Sequence, residues 1–130
     1  GAAATQRRIE EVILELGNLN AKRNFTHVVD MVKAYCLAME KGKDGELYLI
    51  SSNMIYTIKE VLEKLIELST SNKIAYKVVA SRVRPTELNY LVADCKKFTN
   101  LTNWKYEKTI DDILIDVLEY WRNFVKGKLY

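Results

Sequence analysis

Ile110, Ile113, Leu114, Val117, Leu118, Trp121, Phe124 and Val125 recur at helical spacing, and this apolar stripe constrains the fold more than any other feature of the chain. A helix with one apolar face has to lay that face on a second layer of structure. The spacing predicts a long amphipathic helix with Thr109 as its cap, Gly127 just past its end and the stripe turned into the core.

The rest of the chain supplies shorter elements to meet it. Ile9, Val12, Ile13 and Leu16 follow i, i+3, i+4, i+7, which predicts a helix over 5–16 with Gly17 beyond its end. "GNLNAKRNF" breaks that pattern, and Ala21 to Phe25 read as a short extended piece. A second helix is expected from His27 to Glu40, with Thr26 as N-cap and Gly42 past its end. Its apolar residues wrap most of the circumference, which implies a buried position. Asp44-Gly45 marks a turn, and Leu47 to Ile50 read as a short strand. Thr57-Ile-Lys-Glu60 is a capping box that opens a helix reaching Leu68, with Tyr56 and Val61 placed for a hydrophobic staple. Ile74 to Val79 are β-branched and aromatic enough for a strand, and a small helix is expected from Asp94. The order of elements predicts a mixed α/β (α+β), helix-rich unit.

A chain of 130 residues is one domain, 1–130, large enough for a core without disulfide or metal support. With 48% hydrophobic and 28% charged residues it reads as globular, and no apolar run approaches the roughly 18 residues of a membrane span. Gly1 to Ala4 lack the features of a signal peptide and are compatible with a cloning remnant. The net charge of +3 does not by itself argue for nucleic acid. Charge does cluster locally, because no acidic residue lies between Glu67 and Glu87 while Lys73, Lys77, Arg82 and Arg84 do. That stretch, with Tyr76 and Tyr90, leaves open a nucleic-acid-binding reading, and a non-catalytic interaction module stands beside it.

Chemistry-bearing motifs are sparse. Cys36 and Cys95 are far apart and His27 has no ligand at metal spacing, so no metal site is expected; Cys36 reads as a buried free thiol in a reducing, cytoplasmic compartment. The glycines at 1, 17, 42, 45 and 127 form no dinucleotide or Walker pattern. No tyrosine has a lysine four residues on, and there is no nucleophile elbow. The sequence thus predicts no catalytic residue and no cofactor bound by this chain, which alone does not read as a complete enzyme.

What remains is a binding constellation in "SRVRPTELNY" and "GNLNAKR". Arg84 precedes Pro85, whose ring holds it extended and limits the freedom it loses on binding. Arg23 lies in an irregular stretch just ahead of a helix. Guanidinium forks match phosphate oxygens, and a carboxylate at Glu87 can accept from both hydroxyls of a ribose. The set suits a nucleoside diphosphate. A surface ion pair between Arg84 and Glu87 is the competing reading, worth roughly 0–1 kcal/mol.

"GNLNAKRNFTHVVDMVKAYCLAMEKGKDGELYLIS", "YTIKEVLEKLIELS" and "RVRPTELNYLVADCKKFTNLTNWKYEKTIDDILIDVLEYWR" resemble, in order, the C-terminal substrate-binding part of the GDP-mannose 4,6-dehydratases and the related GDP-4-keto-6-deoxy-mannose reductases. Both belong to the extended short-chain dehydrogenase/reductases, the NAD-dependent epimerase/dehydratase family. The resemblance covers residues 16 to 126, and its more specific signatures are "GNLxAxR" and "RPTE". It implies that Arg23 and Arg84 bind the diphosphate of a GDP-sugar, that Glu87 in the Arg84-Pro85-Thr86-Glu87 run contacts the ribose, and that Asn18 and Leu19 lie near the guanine. It also implies a partner Rossmann domain carrying NADP or NAD and the catalytic tyrosine and lysine, and points to a possible homo-oligomer. "RNFTHVVDMVKAY" and "LEYWR" lean toward the reductase branch, whereas "GNLNAKR" and "RPTE" suit both branches.

The sequence departs from the family at Asn24, where aspartate is usual, which is expected to weaken a hydrogen bond orienting Arg23. "NWKYE" also replaces a glycine-tryptophan-lysine-proline run, so that Asn103 and Tyr106 are expected to alter the local turn.

Overall fold

The computed structural model describes residues 12–69, 74–85 and 88–128. In chain order the elements are β1 (Val12–Leu16), β2 (Lys22–Asn24), α1 (Val28–Lys41), β3 (Ile55–Thr57), α2 (Ile58–Leu68), β4 (Ile74–Val78), a 3-10 turn (Ala80–Arg82), β5 (Tyr90–Leu91), α3 (Lys96–Thr102) and α4 (Ile110–Lys128). The fold is mixed α/β and helix-rich. β1 and β4 pair in parallel, while β2 lies between β3, antiparallel to it, and β5, parallel to it.

Residues 12–16 form a strand, which corrects the helix expected over 5–16; the part of that expectation before residue 12 lies outside the described residues. A run of five residues satisfies either period, and the choice falls to a distant partner. Each β1 residue from Val12 to Leu16 finds a parallel partner from Ile74 to Val78. Gly17 then serves close approach and not a helix end, because a Cβ there would sit 2.4 Å from the Arg82 carbonyl oxygen.

α1 begins one residue later than expected. His27 is its N-cap, with Nδ1 accepting from the Val29 N–H at 3.0 Å and Nε2 donating to Asp116 at 2.6 Å. Thr26 accepts instead from the Ser52 N–H at 2.9 Å. Only Asp30 and Ala34 of α1 are buried, whereas Val28 is 69% and Met39 90% exposed. The all-round apolar character therefore does not correspond to all-round burial, and Cys36, expected to be buried, is exposed; the buried thiol is Cys95. α3 covers one side of α1, and the face carrying Val32, Tyr35 and Met39 has no cover among the described residues. The Asp44-Gly45 turn is present with Gly45 at φ 73°, but Leu47 to Ile50 form no ladder among the described residues and so are not the expected strand.

The Thr57 half of the expected capping box is formed, its hydroxyl accepting from the Glu60 N–H at 3.1 Å, while the Glu60 carboxylate makes no return bond to Thr57 among the described residues; the helix ends at Leu68 as its pattern predicts. The N–H groups of Ile58 and Lys59, left without intrahelical partners, donate to the carbonyls of Ala21 and Leu19 at 3.0 and 2.9 Å. This seats α2 on the stretch that leads into β2.

In α4, Thr109 and Asp112 cap each other's backbone N–H groups, and Ile110 and Leu114 are buried. The stripe leaves the core after these first turns, since Val117, Trp121, Phe124 and Val125 are exposed. Gly127 lies inside α4, which continues to Lys128.

The core joins Ala34, Cys95, Phe98 and Trp104, with Met31, Tyr48 and Tyr106 packed around them. Asp30, 1% exposed, holds it together by polar contacts. Its carboxylate accepts from the N–H groups of Glu107 and Lys108 at 3.1 and 2.9 Å, and its carbonyl from the Trp104 indole at 3.1 Å.

Candidate functional site

Arg23 sits in the middle of the three-stranded sheet, paired with Tyr56 on one side and Leu91 on the other. Its guanidinium is already oriented. One terminal nitrogen donates to the Lys22 carbonyl at 2.8 Å and the other to the Leu88 carbonyl at 2.6 Å. An arginine has five N–H donors, so these two bonds fix the fork and leave donors for a ligand.

The bond to Leu88 ties β2 to the segment that follows Pro85. Two more bonds do the same: the Lys22 N–H donates to the Asn89 carbonyl at 2.7 Å, and the Asn18 amide donates to the Asn89 side-chain oxygen at 2.8 Å. At the other end of this loop, the Val79 N–H donates to the Leu16 carbonyl at 2.8 Å, and Gly17 lets the 3-10 turn approach. The loop containing Arg84 is thus pinned at both ends to the 16–23 stretch. Arg84 and Pro85 are exposed, and Arg84 makes no hydrogen bond or ion pair among the described residues. Thr86 and Glu87 lie outside the described residues.

Asn18 and Leu19 line a cavity of about 380 Å³ with Lys59, Tyr76 and Val83, one residue before Arg84. Leu19 is buried, and the Asn20 N–H donates to the Asn18 side-chain oxygen at 3.0 Å, so the wall of the cavity is held by local bonds. The Tyr76 hydroxyl donates to Glu63 at 3.1 Å, and that bond, followed by desolvation, raises its pKa above 10.0. Arg23 lines a second, largely apolar cavity of about 590 Å³ with Met31, Leu49 and Leu91.

Asn24 makes no hydrogen bond to Arg23 and is engaged elsewhere. Its amide nitrogen donates to the Ser52 carbonyl at 2.9 Å and its oxygen accepts from the Ala93 N–H at 2.8 Å. A carboxylate cannot make the first of these bonds, so the amide is what clamps β2 between the two neighbouring segments. The Ser52 hydroxyl also donates to the Phe25 carbonyl, and the Phe25 N–H donates to Met54 at 3.0 Å. Asn24, Ser52, Lys59, Tyr76 and Asn89 carry no local sequence signal for these roles, because their partners are distant in the chain.

The basic stretch is partly neutralised: Lys77 pairs with Glu15 at 3.6 Å, although Tyr90 is 63% exposed. Among the described residues no group of three or more His, Cys, Asp or Glu side chains is placed to hold a metal, and no helix is long and apolar enough to cross a membrane.

This arrangement of short sheets and helices is found in the extended short-chain dehydrogenase/reductases. The RMD structure from Pseudomonas aeruginosa, complexed with NADPH, matches with a TM-score of 0.74 and 26% identity over 85% of this chain and 36% of that one. The UDP-glucose 4-epimerase of Thermotoga maritima, solved with UDP-glucose, matches with a TM-score of 0.72 and 26% identity over 89% of this chain and 36% of that one. The family profile described as GDP-mannose 4,6 dehydratase matches residues 2–117, and the chain belongs to that family. Among curated relatives it is 26% identical to the GDP-mannose 4,6 dehydratase of Cricetulus griseus, over 80% of this chain and 32% of that protein. It is 27% identical to the GDP-6-deoxy-D-mannose reductase of Pseudomonas aeruginosa, over 87% and 37%. The chain therefore spans about a third of the length of the curated relatives it matches.

Proposed function

We propose that the chain is a single domain, the C-terminal lobe of a cytoplasmic nucleotide-sugar enzyme of the dehydratase or reductase type, and that it binds a GDP-sugar. Arg23 and Arg84 hold the diphosphate, Glu87 holds the ribose with Pro85 and Thr86 shaping the turn, and the cavity beside Asn18 and Leu19 receives the base. The observation that carries this reading is the pinning of the Arg84 loop to β2 through the Arg23 guanidinium at Leu88, which joins the two signature stretches in one substructure. Backbone-anchored donors lose little freedom when an anion arrives.

In this reading the nicotinamide cofactor and the catalytic tyrosine and lysine belong to the part of the enzyme outside the matched third. The exposed α1 face of Val28, Val32, Tyr35 and Met39, with Leu47 and Leu49, supports a docking role toward that part. No residue of this chain is assigned to the cofactor.

The test is ligand titration by calorimetry or amide NMR at fixed ionic strength. GDP and GDP-mannose are expected to bind more tightly than UDP or dTDP, with Arg84→Ala weakening GDP by about tenfold, the loss of one or two charge-assisted hydrogen bonds. Equal binding of all three nucleotides, unchanged by Arg84→Ala, would sink the proposal. Tight, steeply salt-dependent binding of any single-stranded polymer would favour the nucleic-acid reading instead.

A further inference from the structure

A cavity of about 680 Å³ opens between the 51–53 segment, α3 and the turn that follows it, in the size range of small-molecule sites. Asn53, Asn100 and Asn103 line it and are exposed, and none of their carboxamides is hydrogen-bonded to another described residue. Three amides without a protein partner in one concavity leave several hydrogen-bonding groups open to a ligand, because each offers two donors and an acceptor.

The wall around them is rigid. Asn103 sits at φ 57°, with its backbone N–H donating to the Thr99 carbonyl at 2.8 Å. Trp104 behind it is buried with its indole committed to Asp30, so it is scaffold and not ligand contact. Tyr106 packs against the core, which fixes its ring, and its hydroxyl makes no hydrogen bond among the described residues. Lys96 and Lys105 stand at the same cavity, their ammoniums without a carboxylate partner among the described residues, while the one carboxylate in its lining, Asp94, accepts from the Lys96 N–H at 2.9 Å. Asn103 and Tyr106 are two of the positions where this sequence leaves the glycine-tryptophan-lysine-proline run of the family it resembles.

Carboxamides that donate and accept match vicinal ring hydroxyls, a fixed phenol ring offers an apolar face to sugar C–H groups, and unpaired ammoniums favour an acidic substituent. We propose that this cavity is a second site, separate from the diphosphate arginines, for a pyranose bearing a carboxylate.

The test is a ¹⁵N NMR titration of the chain with D-glucuronate, D-mannose and inorganic phosphate. Saturable shifts are expected with glucuronate at the side-chain amides of Asn53, Asn100 and Asn103, weaker shifts with mannose, and none at Arg23 or Arg84. The Asn53→Ala/Asn100→Ala variant changes only exposed side chains and should weaken glucuronate about tenfold while the remaining spectrum is retained. The proposal is overturned by an absence of saturable shifts, by shifts that survive in the double variant, by mannose binding as tightly as glucuronate, or by phosphate alone reproducing the pattern, which would mark a plain anion site.

Discussion

Replacing Gly17 by alanine tests the link between fold and site most directly. The added Cβ would lie 2.4 Å from the Arg82 carbonyl oxygen and 3.1 Å from its carbon, both backbone atoms. No side chain can swing away to make room, so β1 and the 3-10 turn must separate. Overpacking of this kind costs about 1–3 kcal/mol. At this size, that corresponds to roughly 3–5 °C of melting temperature per kcal/mol. Gly127→Ala is the internal control: among the described residues no atom beyond its own helix backbone and chain neighbours lies within 4 Å of the added Cβ, and it sits inside α4. There the change should stabilise by up to about 1 kcal/mol through helix propensity, less for fraying near the helix end. Thermal melts of the two variants should thus move in opposite directions. Because the displaced turn leads to Arg84, Gly17→Ala should also weaken GDP more than its stability loss explains, as read by titration well below the melting range. A Gly17→Ala chain with unchanged melting and unchanged nucleotide response would refute both the packing argument and the claim that this contact positions the loop.

Asp30→Ala leaves the N–H groups of Glu107 and Lys108 without their acceptor and should cost about 3 kcal/mol in urea denaturation, while Asp30→Asn, which keeps an acceptor oxygen, should cost less. A loss under about 0.5 kcal/mol for the alanine variant would remove Asp30 from its role. Acid titration should expose two carboxylates whose pKa values are lowered on folding: Glu46, chiefly by its hydrogen bond from Lys97, and Asp112, chiefly by the Thr109 N–H and then its hydroxyl. Depressed values mean that their contribution is fully present above the unfolded values of 4.5 and 3.8 and is lost as the pH falls through the lower folded values. Melting temperature should therefore decline below about pH 4.5, and the Asp112→Asn variant should show a shallower acid limb.

Local chemistry made some elements legible and left others hidden. The Thr57 cap of α2, the Asp44-Gly45 turn and the start of α4 depend on residues within one turn of each other, and all three appear as read. β1 was illegible because five residues fit a helix or a strand until β4 is brought alongside. The cap of α1 went to His27 because Thr26 is drawn to Ser52, a contact no local pattern records. The site divides the same way. Arg23 and Arg84 stood out by residue type and by the proline, but the bonds from Arg23 to Leu88 and from Asn18 to Asn89 that gather the two stretches are long-range. Asn24 shows a role set by distant partners: its amide donates to Ser52, a bond an aspartate carboxylate cannot make.

The apolar faces of α1 and α4 follow from the same physics. Their sequences carry hydrophobic residues around more of each helix than this chain covers, leaving Val28, Tyr35 and Met39 on one and Tyr120, Trp121 and Phe124 on the other in contact with water. The three aromatics of α4 pack on each other, with Tyr120 and Phe124 stacked at 6.3 Å, which shields only part of their surface. Exposed apolar patches of this kind mark surfaces that are covered in the working assembly. A chain that spans about a third of its relatives' length should carry such faces. In the proposed reading, periodicity registered burial in the whole enzyme, and the helices were misjudged as core because their partner lies beyond the matched third.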